Sequence, residues 1–303
     1  MPKDPEFITP NVHALWPEFE IELPDGGKIP RFVTSYIIEG ENPAVIDTAV
    51  EPAVPFIFDF IEGSGLRPED VNIVINTHCH FDHIGGNRVF QDRASPRFYA
   101  HPAARPYIED IALQMSVRPV GKMNEMCSGP VGIDEEIDEG DVIDLGGGVE
   151  VRALHTPGHS VGSVSLFVPK DGALICGDVL PEPGTLPIYE DVGQTLKSLD
   201  KLRAVEGADF LLSAMSLRVA RGKAEIAARI DEGEAYIRRI DRLVRQAVRG
   251  PASRPRVEEI GRRVFAGLGL PEGGLIPIVL RTFQAHLDSE PLDEDDGPMN
   301  PPG

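Results

Sequence analysis

Over roughly the first 218 positions, apolar residues come in short runs broken by turn residues; from 219 onward they recur at helical spacing. "RFVTSYIIEG" and "NPAVIDTAV" are β-branched runs on either side of "GEN", which predicts a hairpin. "PFIFDFIEGSGL" has helical spacing and ends at glycines. "VNIVINTH" is a nearly continuous apolar run, the pattern of a strand buried on both faces. "GGNRVFQDR" opens a helix, and "RFYAH" is a short strand. Residues 103–130 mix Pro, Met and Gly without a clear period and read as a cover over something beneath.

The second half repeats the style. "DVIDLGGGVEVRALHTPGH", "GSVSLFVPK" and "ALICGDVL" are strand candidates joined by glycine turns. "EDVGQTLKSLDKLRAV" places Val192, Leu196, Leu199 and Leu202 on one helical face, and "ADFLLSAM" is a last strand. Beyond it Ile226, Ile230, Ile237, Ile240 and Val244 share a helical face, and Pro251, Pro255 and Pro271 divide the region into three helices. The pattern predicts a mixed α/β body over 1–218, a helical extension over 219–288 and an acidic, disordered tail over 289–303.

With 303 residues and 41% hydrophobic content, the chain can bury a substantial core. No apolar run approaches the ~20 residues of a membrane helix, so no membrane partner is expected. "MPKDPEFITP" lacks the basic and apolar regions of a signal peptide, which points to the cytoplasm. Forty-nine acids against 29 bases leave a net charge of −20, which disfavours nucleic acid as a partner. A small-molecule substrate fits better, and association into a homo-oligomer stays open. Cys79, Cys127 and Cys176 are too few and too scattered for a disulfide framework or a Cys-based zinc site. Metal chemistry must therefore rest on histidines and carboxylates.

Such residues crowd into "INTHCHFDHIGGN", where His78, His80, Asp82 and His83 fall within six positions. In an extended segment, side chains two apart point the same way, so His78 and His80 can bind one ion. Asp82 and His83 then project from the turn that the glycines impose, toward a neighbouring spot. Two histidines do not complete a shell of about four ligands. His159 in "HTPGHSVGS" and Asp178 in "LICGDV" are the candidates to do so; a carboxylate ending an apolar strand is costly unless paired or metal-bound. Cys79, between two ligands, should point away from the metal into the core.

"THCHFDHIGG", "HTPGHS" and "CGD", in this order, resemble the motifs of the metallo-β-lactamase superfamily, near its glyoxalase II-like and lactonase-like hydrolases. The resemblance spans about residues 10–230. It implies a four-layer αββα sandwich with metals at one edge between the sheets. It also implies that His78, His80 and His159 bind one ion, that Asp82 and His83 bind the other, and that Asp178 bridges. Asp178, where the antibiotic-degrading zinc enzymes carry cysteine or serine, argues against β-lactamase activity. His80, where flavodiiron relatives carry glutamate, argues against an oxygen reductase.

One ligand departs from the pattern. Family members usually have a histidine after the last core strand, and in "DFLLSAMSLRVARGK" Met215 takes its place. A thioether is a weak ligand for hard ions, so the expectation is one tight zinc and a second that is weak or absent, with Fe or Mn as other fits. His155 is expected to orient the turn and His101 to be structural. His286 reaches the site only if the last helix folds over it, and is otherwise a surface helix residue. The implied activity is hydrolysis of an ester, thioester or lactone by metal-bound hydroxide, with Asp82 orienting the nucleophile or handling its proton. The 103–130 stretch, with Tyr107, Ile111, Met115, Met123 and Met126, and the C-terminal helices would shape the pocket. A persulfide dioxygenase of the same fold, with one iron, is the alternative, but the arginine and glycine-rich stretch typical of that group is not evident in "GDVLPEPGTLPIYED".

Overall fold

The strand Ile73–Ile75 shows how the layers form. Ile73 and Ile75 pack between two sheets, whereas Val74 points the other way into an outer apolar layer. This alternation repeats across a seven-stranded sheet in the computed structural model, which describes residues 4–22, 27–119, 123–249 and 255–292. The sheet runs Glu6–Phe7, Val12–Leu15, Ser35–Ile38, Ala44–Ile46, Ile73–Ile75, Arg97–Ala100 and Glu135–Glu136. Its first three pairings are antiparallel and its last three parallel.

A six-stranded sheet faces it: Val142–Gly146, Val149–His155, Val164–Val168, Ala173–Ile175, Phe210–Leu212 and Ala220–Arg221. Its pairings are antiparallel except that between Ala173–Ile175 and Phe210–Leu212. Ile46, Ile75, Tyr36 and Ala44 meet Val151, Val164, Leu166 and Ile175 in the apolar layer between the sheets. Helix Val54–Gly63 covers the outer face of the first sheet through Val54, Ile57 and Ile61. Val192–Arg203 and the first turns of Gly222–Val248 cover the second through Val192, Leu199, Leu202, Ile226 and Ile230. The expected αββα sandwich is the fold.

The end of Gly222–Val248 joins Val257–Leu268 and Pro277–Asp288 in a fourth apolar cluster around Ile240, Val244, Val264, Phe265 and Phe283. These are the three helices expected beyond residue 219. Most of the tail expected to be disordered, residues 293–303, lies outside the described residues. The 103–130 stretch holds three short helices, Arg105–Glu109, Ile111–Val117 and Met123–Met126.

Candidate metal centre

The strand expected over "VNIVINTH" ends at Ile75, and residues 76–80 leave the sheet. Asp47, at the end of Ala44–Ile46, sets that exit. It adopts a left-handed backbone (φ 57°) and is buried. Its carboxylate accepts from Thr77 N at 2.8 Å, Thr77 Oγ1 at 2.7 Å and His83 Nδ1 at 2.7 Å. Cys79 turns into the outer core, where burial pushes its thiol up to about 12, while His78 and His80 face one space with ring centroids 4.4 Å apart.

His159 arrives from the opposite sheet. Its turn needs Gly158, which has φ 132° and where a Cβ would stand 2.5 Å from Thr195 N on the helix Val192–Arg203. His155 anchors the same turn by donating from Nε2 to Val161 O at 2.9 Å, and stacks on His101. His159 donates from Nδ1 to Ile188 O at 2.7 Å.

Hydrogen bonds set the proton positions. Thr77 Oγ1 donates to Asp47, so it accepts from His78 Nδ1 at 3.1 Å. His78, His83 and His159 therefore each carry a proton on Nδ1 and turn Nε2 toward the site, where it is bare in His78 and His159. His80 is reversed: its Nδ1 stands 2.8 Å from His159 Nε2. Apart from a group formed by His101, Asp138 and His155, two groups of potential ligand atoms meet here, each within 4.8 Å: His78, His80 and His159, and His78, His83 and Asp178. Asp178 touches both, with Oδ1 3.4 Å from His83 Nε2 and Oδ2 3.5 Å from His159 Nε2.

This donor set fits a divalent ion. His78 Nε2, His83 Nε2 and Asp178 Oδ1 are buried polar atoms without hydrogen-bond partners, a costly state that a cation would relieve. Burial holds His78 and His80 well below the ordinary histidine range and His159 down to about 4, so their lone pairs are free at neutral pH. Burial acts the same way on His83, but the carboxylates of Asp178 and Asp47 outweigh it and raise that group well above its usual value. Asp178 is lowered, because His83, His159 and Arg118 outweigh its burial.

Asp82 stands apart from both ligand groups. Phe81–Ile84 is one turn of helix capped by His80, and successive helical side chains diverge by about 100°, so Asp82 and His83 do not share a direction. Asp82 is half-buried; burial raises its pKa, His83 opposes this and Asp178 adds to it. Met215 is half-buried against the outer core.

His286 is neither a ligand nor a surface residue. It is fully buried, with Nδ1 3.0 Å from Asp241 Oδ1 in the helical extension and Nε2 2.8 Å from Tyr189 OH in the body, so both nitrogens are engaged. Tyr107, Ile111, Met115 and Met126 pack into the outer core, while among the described residues of that segment Gln114 reaches the backbone carbonyl of Cys79 and Arg118 reaches His80. Neither had a sequence signal. Asp47 did: it ends an apolar strand just as Asp178 does.

A family model described as the metallo-beta-lactamase superfamily matches residues 29–213. The chain belongs to the metallo-beta-lactamase superfamily. Within that superfamily, it is 28% identical over 259 residues to a hydroxyacylglutathione hydrolase of Methylococcus capsulatus (strain Bath), covering 80% of this chain and 90% of the relative. An acyl-coenzyme A thioesterase of Gallus gallus is 32% identical over 126 residues, 39% of this chain and 44% of the relative. Among solved structures, a metallo-beta-lactamase family protein of Thermus thermophilus shares the fold with a TM-score of 0.71 at 22% identity, covering 93% of both chains.

Proposed function

We propose that this metallo-hydrolase cleaves an ester, thioester or lactone of a small molecule, with zinc as its ion. The observation that carries the reading is Asp178, whose two oxygens face His83 and His159 and so join the two ligand groups through one carboxylate. His78 Nε2, His80 Nδ1 and His159 Nε2 would hold the first ion. His83 would serve a second, weaker position with Asp178 shared, and Asp82 would join it only by turning its side chain from the direction it takes here. A bound zinc ion supplies a water acidified to near neutral pH and a Lewis acid for a carbonyl.

The protein's own groups do the rest. Asp47 keeps the proton of His83 on Nδ1 directly and that of His78 through Thr77. Ile188 O does the same for His159. Asp82, whose carboxyl is raised by burial, can hold or pass a proton from an attacking water. Relatives carrying the names hydroxyacylglutathione hydrolase and acyl-coenzyme A thioesterase support a thioester within this class. The same proposal assigns 1–218 as the catalytic unit, 219–288 as a helical extension and the cytoplasm as the location, where three buried free thiols would stay reduced.

The test is turnover by the zinc-loaded protein of p-nitrophenyl acetate, an acyl thioester and a simple lactone beside a chromogenic β-lactam, before and after chelation. Hydrolysis of one of the first three, lost on chelation, is expected. Full activity without metal, or β-lactam cleavage with no esterase activity, would overturn it. Oxygen consumption with a persulfide would replace hydrolysis with dioxygenation.

A further inference from the structure

The helix Ile111–Val117 is laid directly on the first two histidines. Asp110 caps it, Oδ1 accepting from Leu113 N at 3.0 Å, and buried Gln114 donates from Nε2 to Cys79 O. One turn later Arg118 is buried, its Nη1 2.6 Å from His80 Nε2. Its Nε is buried without a partner, and no carboxylate among the described residues forms an ion pair with it. The helix Pro277–Asp288 holds only the backbone beside it, where Arg281 donates to Val117 O. Asp82, Glu190 and Asp178 oppose the charge of Arg118 only from beyond ion-pair distance, and a buried guanidinium with no direct carboxylate partner is costly.

The proton count sharpens the problem. In this structure His80 Nδ1 donates to the bare Nε2 of His159 and His80 Nε2 accepts from Arg118, whereas an ion held among His78, His80 and His159 would take His80 through Nδ1 and displace that proton. A neutral imidazole that gives Nδ1 to a metal carries its proton on Nε2. That N–H then faces a guanidinium, which has donors only. Two donors do not remain 2.6 Å apart, so with an ion bound Arg118 shifts, and an acceptor placed between the two groups would satisfy both. The spot lies across the imidazole ring from the ion. Charge there belongs to a permanent group on a ligand rather than to the carbonyl being attacked.

We propose that Arg118 and the Nε2–H of His80 together bind a carboxylate carried by the substrate, beside the metal centre. A carboxylate has the planar pair of oxygens that matches the guanidinium fork, and in a buried site such a charge-assisted contact is strong. The inference rests on the hydrolase reading of the site and narrows its substrates to acids that also carry the scissile ester, thioester or lactone.

The experiment titrates zinc-loaded protein with 3-phenylpropionate and with its neutral amide by calorimetry, for the wild type, Arg118→Met and Arg118→Lys, with zinc content measured for each. Wild type should prefer the carboxylate at least about 10-fold, Arg118→Met should lose about 10- to 100-fold of carboxylate affinity at unchanged zinc content, and Arg118→Lys should keep part of it. Equal carboxylate binding by wild type and Arg118→Met would place the acid on the metal alone and overturn the proposal. Loss of zinc in both variants would make Arg118 a support of the ligands and overturn it too. No carboxylate binding by wild type would mean that a group of the protein, with Glu190 the first candidate, fills the spot, which also defeats it. Absent ester turnover with carboxylate selectivity intact would strike the hydrolase reading and leave this one standing.

Discussion

The hydroxyl of Tyr189 lies 2.8 Å from Nε2 of His286, and the carbonyl of the preceding residue, Ile188, accepts the proton of His159. Thr282, one turn before His286, donates to Pro187 O and Tyr189 O from the same helix. The last helix thus grips the 187–189 segment that orients His159, without placing His286 in either histidine group.

This relationship makes His286→Ala a test of position against ligation. The variant leaves Asp241 buried without its imidazole partner and should lose about 2–3 kcal/mol of stability in urea unfolding. Metal stoichiometry should stay as in the wild type, with affinity of the first position falling only a few fold. Selective release of one ion would instead make His286 a ligand.

Asp47→Asn should act on the second position. Oδ2 of the carboxylate accepts from both Thr77 Oγ1 and His83 Nδ1 while Oδ1 accepts from Thr77 N, and the amide turns one of these two acceptors into a donor, so one side of the set must be lost. Outer partners of metal ligands are worth about 10- to 100-fold in affinity, and a loss of that size at the weaker site is expected in a zinc titration. Unchanged affinity at both sites would remove Asp47 from the account.

The two positions should be unequal because Met215 offers only a thioether where an imidazole is expected. Counting bound zinc during titration should give one tight equivalent and one weak, and Met215→His should tighten the weak one at least about 10-fold. His80→Ala should abolish the tight equivalent. Two equal equivalents in the native protein would contradict this.

The metal-free protein should lose stability as acidity rises through the histidine range. His159 has its folded value lowered from 6.5 to about 4, so the unfolded chain binds its proton first. That stability is present above 6.5, is lost between 6.5 and about 4, and is worth about 3 kcal/mol at most. His78 and His80 act with the same sign, and His83, whose value is raised, acts with the opposite one. Urea midpoints of the chelated protein between pH 7 and 4 should fall, and fall less in His159→Gln; a flat profile would refute the assignment.

The layers of the sandwich and most of the residues gathered at the candidate metal site were legible along the chain, since both depend on spacing within short segments. Period-two alternation marks a strand such as Ile73–Ile75 whatever it packs against, and "HCHFDH" crowds its ligands within one turn of backbone. Asp178 could be inferred because a carboxylate ending an apolar strand demands a partner. What only tertiary structure decided are contacts across long separations, where no local rule constrains the partner. Asp47 meets His83 36 residues away, Arg118 meets His80 38 residues away, and His286 meets Tyr189 97 residues away. A helical histidine at position 286 and an arginine in an irregular segment look like ordinary surface residues in the sequence. Their burial depends on how the last three helices and the 103–118 segment close over the sandwich, and that closure follows from apolar area shared between distant elements rather than from any pattern within one.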